Sequence, residues 1–241
     1  IATGDIDGDE RDEVIIGFGP VAQFGLPGGR FEILDHDLTH LNWGQVSWSD
    51  YNSANGETRP AIGDVDGDGK GEILIGLGKG GAGLVEVFRF IDGAPQHLAW
   101  TGIDWPEYNQ DNGETWPAAG DANSDQKDDI AIGLGQGGGG LFVLKSGLDP
   151  ALLGTEEDPW RTEPEGFMTW QEYAVVQGET RPAFGDLNGD GKPEVVLGLG
   201  KTGAGNVDIF SPSTTGLTYL LSTSIDWDEY NLLNGETRPV L

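Results

Sequence analysis

One segment recurs four times along this chain. It reads GDIDGDERDEVIIGFG from Gly4, GDVDGDGKGEILIGLG from Gly63, GDANSDQKDDIAIGLG from Gly120 and GDLNGDGKPEVVLGLG from Gly185. A second block precedes three of these copies and closes the chain: WSDYNSANGETRPAIGD from Trp48, WPEYNQDNGETWPAAGD from Trp105, WQEYAVVQGETRPAFGD from Trp170 and WDEYNLLNGETRPVL from Trp227. Self-similarity at a period of roughly 60 residues rules out one irregular core, because each copy is a small unit that must bury its apolar faces against a neighbour.

Within a unit the strand signals are short and evenly spaced. In the second unit, Arg59 to Asp64 is extended and leads into an acidic loop, and Glu72 to Leu77 (EILIGL) is a branched apolar run that stops at glycine. Leu84 to Phe90 (LVEVFRF) alternates apolar and polar residues, and His97 to Trp105 carries a fourth piece. No stretch keeps an i, i+3, i+4 apolar pattern over ten residues, and 41 glycines with 37% hydrophobic residues suit a turn-rich chain. The expected fold is all-β: a β-propeller of four tandem four-stranded blades forming a single domain over 1–241, with units near 1–59, 60–116, 117–181 and 182–241. Pro239-Val240-Leu241 matches Pro60-Ala61-Ile62, a slot that Ile1-Ala2-Thr3 fills in the first unit. That phasing favours a closed four-bladed ring, with a slice of a longer array as the alternative. Ser146 to Gly166, acidic and proline-containing, reads as a surface loop inserted in the third unit. The chain opens at Ile1 without a charged-then-apolar leader, and so reads as a mature or trimmed piece.

The pattern D-x-[DN]-x-D-x-x-x-[DE] occurs once per unit. The first copy offers Asp5, Asp7, Asp9 and Glu13 with the backbone carbonyl of Arg11; the second offers Asp64, Asp66, Asp68 and Glu72 with the carbonyl of Lys70. The third has Asp121, Asn123, Asp125 and Asp129 around Lys127, and the fourth Asp186, Asn188, Asp190 and Glu194 around Lys192. Oxygen donors at alternate positions of a tight loop converge on one hard cation, and a set of six to eight such oxygens suits Ca2+. The last acid stands at the ninth loop position, and Ile75 in the following strand stands at the twelfth, so these are not EF-hands. The expectation is about four Ca2+ ions, one per repeat.

The loop and strand together, as in DVDGDGKGEILIGLG, resemble the FG-GAP (integrin α-subunit N-terminal-like, VCBS-type) repeat family. The resemblance covers all four units. It implies that each repeat is one blade, with calcium held between its first two strands by the residues just named, and a role in adhesion or ligand recognition. The family's phenylalanine–glycine and glycine–alanine–proline landmarks survive in part, as Phe18-Gly19 and Gly80-Gly81-Ala82-Gly83. Its usual blade count is seven.

Acidic residues number 41 against 13 basic ones, a net charge of −28 that repels phosphate backbones and anionic lipid. Nucleic-acid binding is therefore excluded, and no apolar run long enough for membrane insertion is present. With no cysteine, thiolate chemistry and Cys-ligated metals are excluded as well. Gly76, Gly78 and Gly81 spell a dinucleotide-type glycine motif, but a strand follows them where such a site needs a helix. His36, His40 and His97 do not recur between units, and no catalytic grouping can be assembled from spacing.

The repeated aromatic and GET[RW]P blocks have two readings. One is a structural device: an aromatic wedge, an ion pair and a strand-starting proline. The other is a ligand surface on the face opposite the calcium loops, formed by Tyr51, Asn52, Glu57 and Arg59; Tyr108, Asn109, Glu114 and Trp116; Tyr173, Glu179 and Arg181; and Tyr230, Asn231, Glu236 and Arg238. Aromatic faces with Asn, Glu and Arg side chains suit glycans or a protein ligand. The leading expectation is a secreted or surface, extracellular, calcium-binding recognition or adhesion module that is not an enzyme. A polysaccharide lyase using one of these tyrosines as base, and a structural spacer or filament subunit, are the alternatives.

Overall fold

The computed structural model describes residues 1–20, 26–146, 148, 160–162, 166–213 and 216–240. The first blade runs β1 (Ala2–Gly4), β2 (Glu13–Gly17), β3 (Arg30–Leu34) and β4 (His40–Gln45), followed by α1 (Ser49–Ala54). The second runs β5 (Thr58–Gly63), β6 (Glu72–Leu77), β7 (Leu84–Ile91) and β8 (Ala94–Gly102), followed by α2 (Pro106–Asp111). In the third, β9 (Thr115–Gly120), β10 (Asp129–Leu134) and β11 (Leu141–Ser146) precede two short pieces, β12 (Arg161–Thr162) and β13 (Gly166–Phe167), and then α3 (Gln171–Val176). The fourth holds β14 (Thr180–Gly185), β15 (Glu194–Leu199), β16 (Asn206–Ser213) and β17 (Gly216–Ser224), then α4 (Asp228–Leu233). Each sheet is antiparallel and follows chain order, with β12 and β13 both pairing along β11.

The all-β expectation holds, with two differences. Six-residue helices occupy the Trp-x-x-Tyr segments, where no helix was expected. Six residues are too few to show an amphipathic period, and these helices start straight after Trp48, Trp105, Trp170 and Trp227 without a side-chain cap. The second difference concerns the insertion in the third unit. Much of Ser146 to Gly166 lies outside the described residues, but Leu148 and Trp160 are buried in the core between the second and third blades rather than exposed on a loop. The first strands of the second, third and fourth blades begin at Thr58, Thr115 and Thr180.

β6 and β10 are apolar at consecutive positions because each is buried on both faces, between the blade before and the blade after; β15 is as buried, with Gly198 against Thr237 and Pro239 of the segment that follows α4. Phe31 and Ile33 pack on Ile73, Ile75 and Phe88. Leu74, Val85 and Val87 pack on Ile130, Ile132 and Leu134; Phe142 and Leu144 pack on Val195, Leu197 and Phe210. The aromatic contacts repeat in kind, with centroids 5.2 Å apart for Phe31 and Phe88 and 5.4 Å for Phe142 and Phe210. Three such cores join the four blades. Among the described residues none joins the fourth blade to the first, where Leu187, Ile225 and Trp227 are 47%, 42% and 59% exposed.

A glycine in each second strand allows this packing. A Cβ on Gly76 would lie 2.7 Å from the Thr115 carbonyl oxygen, and Gly17, Gly133 and Gly198 meet Thr58, Thr180 and Thr237 in the same way. Thr58, Thr115 and Thr180 then bolt neighbouring blades together, and Thr237 ties the segment after α4 to the fourth blade. Thr115 Oγ1 accepts from Leu77 N–H (2.9 Å) and donates to the Leu84 carbonyl (2.8 Å), spanning the second and third strands of the preceding blade. Thr58, Thr180 and Thr237 make the same pair of bonds to Phe18 and Arg30, Leu134 and Leu141, and Leu199 and Asn206.

Candidate metal centre

The acidic loops join the first and second strands of every blade, and their backbone folds around their own carboxylates. Asp64 Oδ1 accepts from Gly67 N–H (2.8 Å) and Asp68 N–H (3.0 Å), while Oδ2 accepts from Gly69 N–H (2.9 Å). Asp66 caps Asp68 N–H and Asp68 caps Lys70 N–H, each at 3.0 Å. The first, third and fourth loops repeat the scheme around Asp5, Asp121 and Asp186. The tight wrap needs left-handed backbone: Gly67 and Gly69 supply φ of 78° and 88° in the second loop.

The last acid of each loop reaches back from a strand. Glu72 is buried and accepts from Val65 N–H (3.1 Å), as Glu13 does from Ile6 N–H (3.1 Å). Oxygens of Asp5, Asp7 and Glu13 all lie within 4.8 Å of one another, and so do those of Asp64, Asp66 and Glu72. In the other two loops an amide takes the second place. Asn123 Nδ2 donates to Asp129 Oδ1 (3.2 Å) and Asn188 Nδ2 to Glu194 Oε1 (2.7 Å). Asn123 Oδ1 is buried and accepts nothing, an oxygen donor left over in the middle of the loop.

Asp9 and Asp125 serve as caps for Arg11 and Lys127 N–H, as Asp190 does for Lys192 N–H. Neighbouring loops are also tied together: Lys70 Nζ donates to the Asp7 carbonyl (2.6 Å), and Asp64 N–H donates to Asp128 Oδ2 (2.9 Å).

Electrostatics follow from this crowding. Burial, then the charges of Asp68 and Asp64, push the Glu72 carboxyl up to about 8, against partial relief from Val65 N–H. Asp129 is pushed up to about 7 by burial and by Asp125 and Asp121. Burial, with Asp7, Asp9 and Asp5, likewise raises Glu13. Burial also acts on Asp5, but the N–H groups of Gly8, Glu10, Asp7 and Asp9 together outweigh it and hold Asp5 below its ordinary range. The first loop thus pairs an outer carboxylate, Asp5, held ionised by backbone N–H groups, with an inner one, Glu13, raised by burial and like charge. Hard oxygen donors in this arrangement fit a divalent cation.

One residue outside the loop pattern enters the second cluster. Arg89, on β7, places its guanidinium against Asp66 Oδ2, with Nε 3.4 Å from Glu72 Oε1.

The repeated aromatic blocks lie at the glycine turns. Tyr51 OH donates to the Glu57 carbonyl (2.6 Å) and accepts from Gly78 N–H (2.7 Å) of the next blade; Tyr108 does the same with Glu114 and Gly135, both at 2.6 Å. Tyr173 and Tyr230 donate to Glu179 and Glu236 carbonyls. Each tyrosine stacks on the tryptophan that starts its helix. Asn52, Asn109 and Asn231 donate to the carbonyls of Val46, Ile103 and Ile225 at 2.7 Å. Arg59 binds Glu57 and, in the next blade, Glu114, both at 3.0 Å; Arg181 likewise joins Glu179 and Glu236, which also holds Arg238. Trp116 stands where the other units have arginine and lines a cavity of about 370 Å³ with Arg59, Arg181 and Arg238.

The FG-GAP repeat family model matches residues 180–210. Integrin alpha pat-2 of Caenorhabditis briggsae is 26% identical over 266 aligned positions, which take in 95% of this chain and 20% of that protein. The chain therefore spans about a fifth of the length of this curated relative. Among solved structures, rhamnogalacturonan lyase YesW has a TM-score of 0.54 at 15% identity, over 91% of this chain and 41% of its own. The exotype rhamnogalacturonan lyase YesX has a TM-score of 0.50 at 16% identity, over 80% and 37%. At these identities the likeness to the two lyases is one of fold.

Proposed function

We propose that this chain, whose residues 180–210 match the FG-GAP repeat family and which is 26% identical to an integrin alpha, is a calcium-loaded recognition module of the adhesion kind, working outside the cell or at its surface. The observation that carries this reading is the convergence of three carboxylates in each of the first two loops, with a buried acid at the base of each. Asp5, Asp7 and Glu13 would hold one ion and Asp64, Asp66 and Glu72 another. The third and fourth loops would each hold one through Asp121, Asn123, Asp125 and Asp129, and Asp186, Asn188, Asp190 and Glu194, which brings the number to about four. Bound calcium supplies the positive charge that lets these carboxylates stay ionised side by side. The loop backbone fixes their positions beforehand through its N–H bonds to Asp5, Asp64, Asp121 and Asp186.

The partner is a glycan or a protein that docks at the mouth of the cavity lined by Arg59, Trp116, Arg181 and Arg238. The guanidinium fork of Arg238, which is 67% exposed, is the group a sugar or an acidic side chain would meet. Recognition is favoured over catalysis because the tyrosines are occupied. Burial pushes the phenols of Tyr51, Tyr108 and Tyr173 well up, and each donates its proton to a backbone carbonyl, so none is placed to act as a base.

The test is a native affinity gel against neutral and acidic polysaccharides in calcium, with the eluted glycan examined for cleavage. Retardation without cleavage that is lost in Trp116→Ala supports the reading. Cleavage of any glycan in the panel would overturn the non-enzymatic assignment.

A further inference from the structure

Arg89 stands out among the groups near the acidic loops. The registers of the four blades place Phe88 opposite Ile73, Leu34 opposite Val14, Lys145 opposite Ile130 and Phe210 opposite Val195. The next position along the third strand is therefore Arg89 in the second blade, and Asp35, Ser146 and Ser211 in the others. Only the second blade carries a cation at this point. Its guanidinium meets two of the three carboxylates that converge there: Asp66, whose side chain is 7% exposed, and Glu72, 2% exposed. The Arg89 side chain is 33% exposed and borders a cavity of about 310 Å³ lined also by Asp68, Lys70, Phe90 and Asp92.

We infer that Arg89 is a tethered counter-ion of the second loop, which neutralises Asp66 and Glu72 when no metal is bound and must swing out for calcium to enter. The inference rests on the calcium reading above and adds a difference between sites that the loop sequences alone do not show. The second loop has the same carboxylate pattern as the first, Asp-x-Asp-x-Asp-x-x-x-Glu, yet it is the weaker site. A guanidinium and a divalent cation cannot share the same two oxygens, so calcium entry there gives up two charge-assisted contacts. The neighbouring cavity gives the displaced side chain a place to go, with Asp68 and Asp92 on its wall. With Arg89 in place, the second loop keeps its shape without metal, whereas the first, lacking such a group, depends on the ion.

The experiment is calorimetric titration of the full, calcium-stripped chain with calcium chloride, comparing the unaltered protein with Arg89→Ser, the residue that two other blades carry. One site should tighten by about tenfold or more in Arg89→Ser, and adding Asp66→Asn to that variant should abolish the gain. Thermal melts provide a second readout. Arg89→Ser should melt lower than the unaltered protein in EDTA, and saturating calcium should close the gap. Should Arg89→Ser fail to fold without metal, Arg89→Gln keeps the aliphatic stem and is expected to give the same tightening. Calcium uptake with unchanged affinities in these variants overturns this inference alone. Absence of calcium uptake by the unaltered protein and by Arg89→Ser overturns the calcium reading and this inference with it.

Discussion

The guanidinium carbon of Arg59 lies 3.8 Å from the centroid of the Trp116 ring, across the boundary between the second and third blades. Arg181, from the fourth blade, approaches the same indole at 4.6 Å. In a chain that otherwise repeats a Glu–Arg clamp between neighbours, Trp116 replaces one ion pair with two cation–π contacts. Its substitution by alanine should cost about 2–4 kcal/mol in all, at roughly 1–2 kcal/mol for each contact with a largely desolvated guanidinium. Urea denaturation checks this; an unchanged midpoint would mean that Trp116 only lines the cavity.

Thr115→Val keeps the side-chain shape and removes the bolt between Leu77 N–H and the Leu84 carbonyl. The buried N–H is left without a partner, at a cost of about 1–3 kcal/mol. The same substitution at the exposed Thr218 serves as a control and should change the denaturation midpoint little.

Chelation should lower the melting temperature of the calcium-loaded chain. The paired change Asp5→Ala and Asp7→Ala, at the first loop, should reproduce part of that loss in calcium. Differential scanning calorimetry with and without EDTA decides it: equal midpoints in the two conditions would mean that the loops are structural turns only.

The metal-free chain should be less stable at pH 8 than at pH 6. Asp129 is raised from 3.8 to about 7, so between these limits the folded state binds more protons than the unfolded one. The stability that this protonation contributes is fully present below the unfolded value and is lost as pH rises through 7. A cation takes the proton's place, so calcium uptake near neutral pH should release protons. Titrations in buffers of different ionisation enthalpy measure that release, and a melting temperature in EDTA that rises from pH 6 to 8 would contradict the assignment.

Much of this arrangement was legible because repetition makes local signals reinforce one another. Glu72 to Leu77 was readable as a strand, and β6 has those bounds. The carboxylates of the first two loops could be paired from spacing because the loop is short and folds on itself. The six-residue helices were not legible, since tertiary bonds such as Tyr51 to Gly78 hold them rather than an apolar period of their own. Nor was Arg89. Its approach to Asp66 depends on the register of β6 against β7, and the loop pattern carries no trace of a residue on a different strand. The threonines of the GET blocks were visible as repeats, yet their bonding to the preceding blade emerges only in the packed array.

Three inter-blade cores for four blades also imply an order of unfolding. Among the described residues the second and third blades each have two packed neighbours, while the first and fourth have one, so the free energy of local opening should rise from the ends of the array toward its middle. Amide hydrogens of β10 should therefore exchange more slowly than those of β2 or β15, although all three strands carry nearly the same sequence.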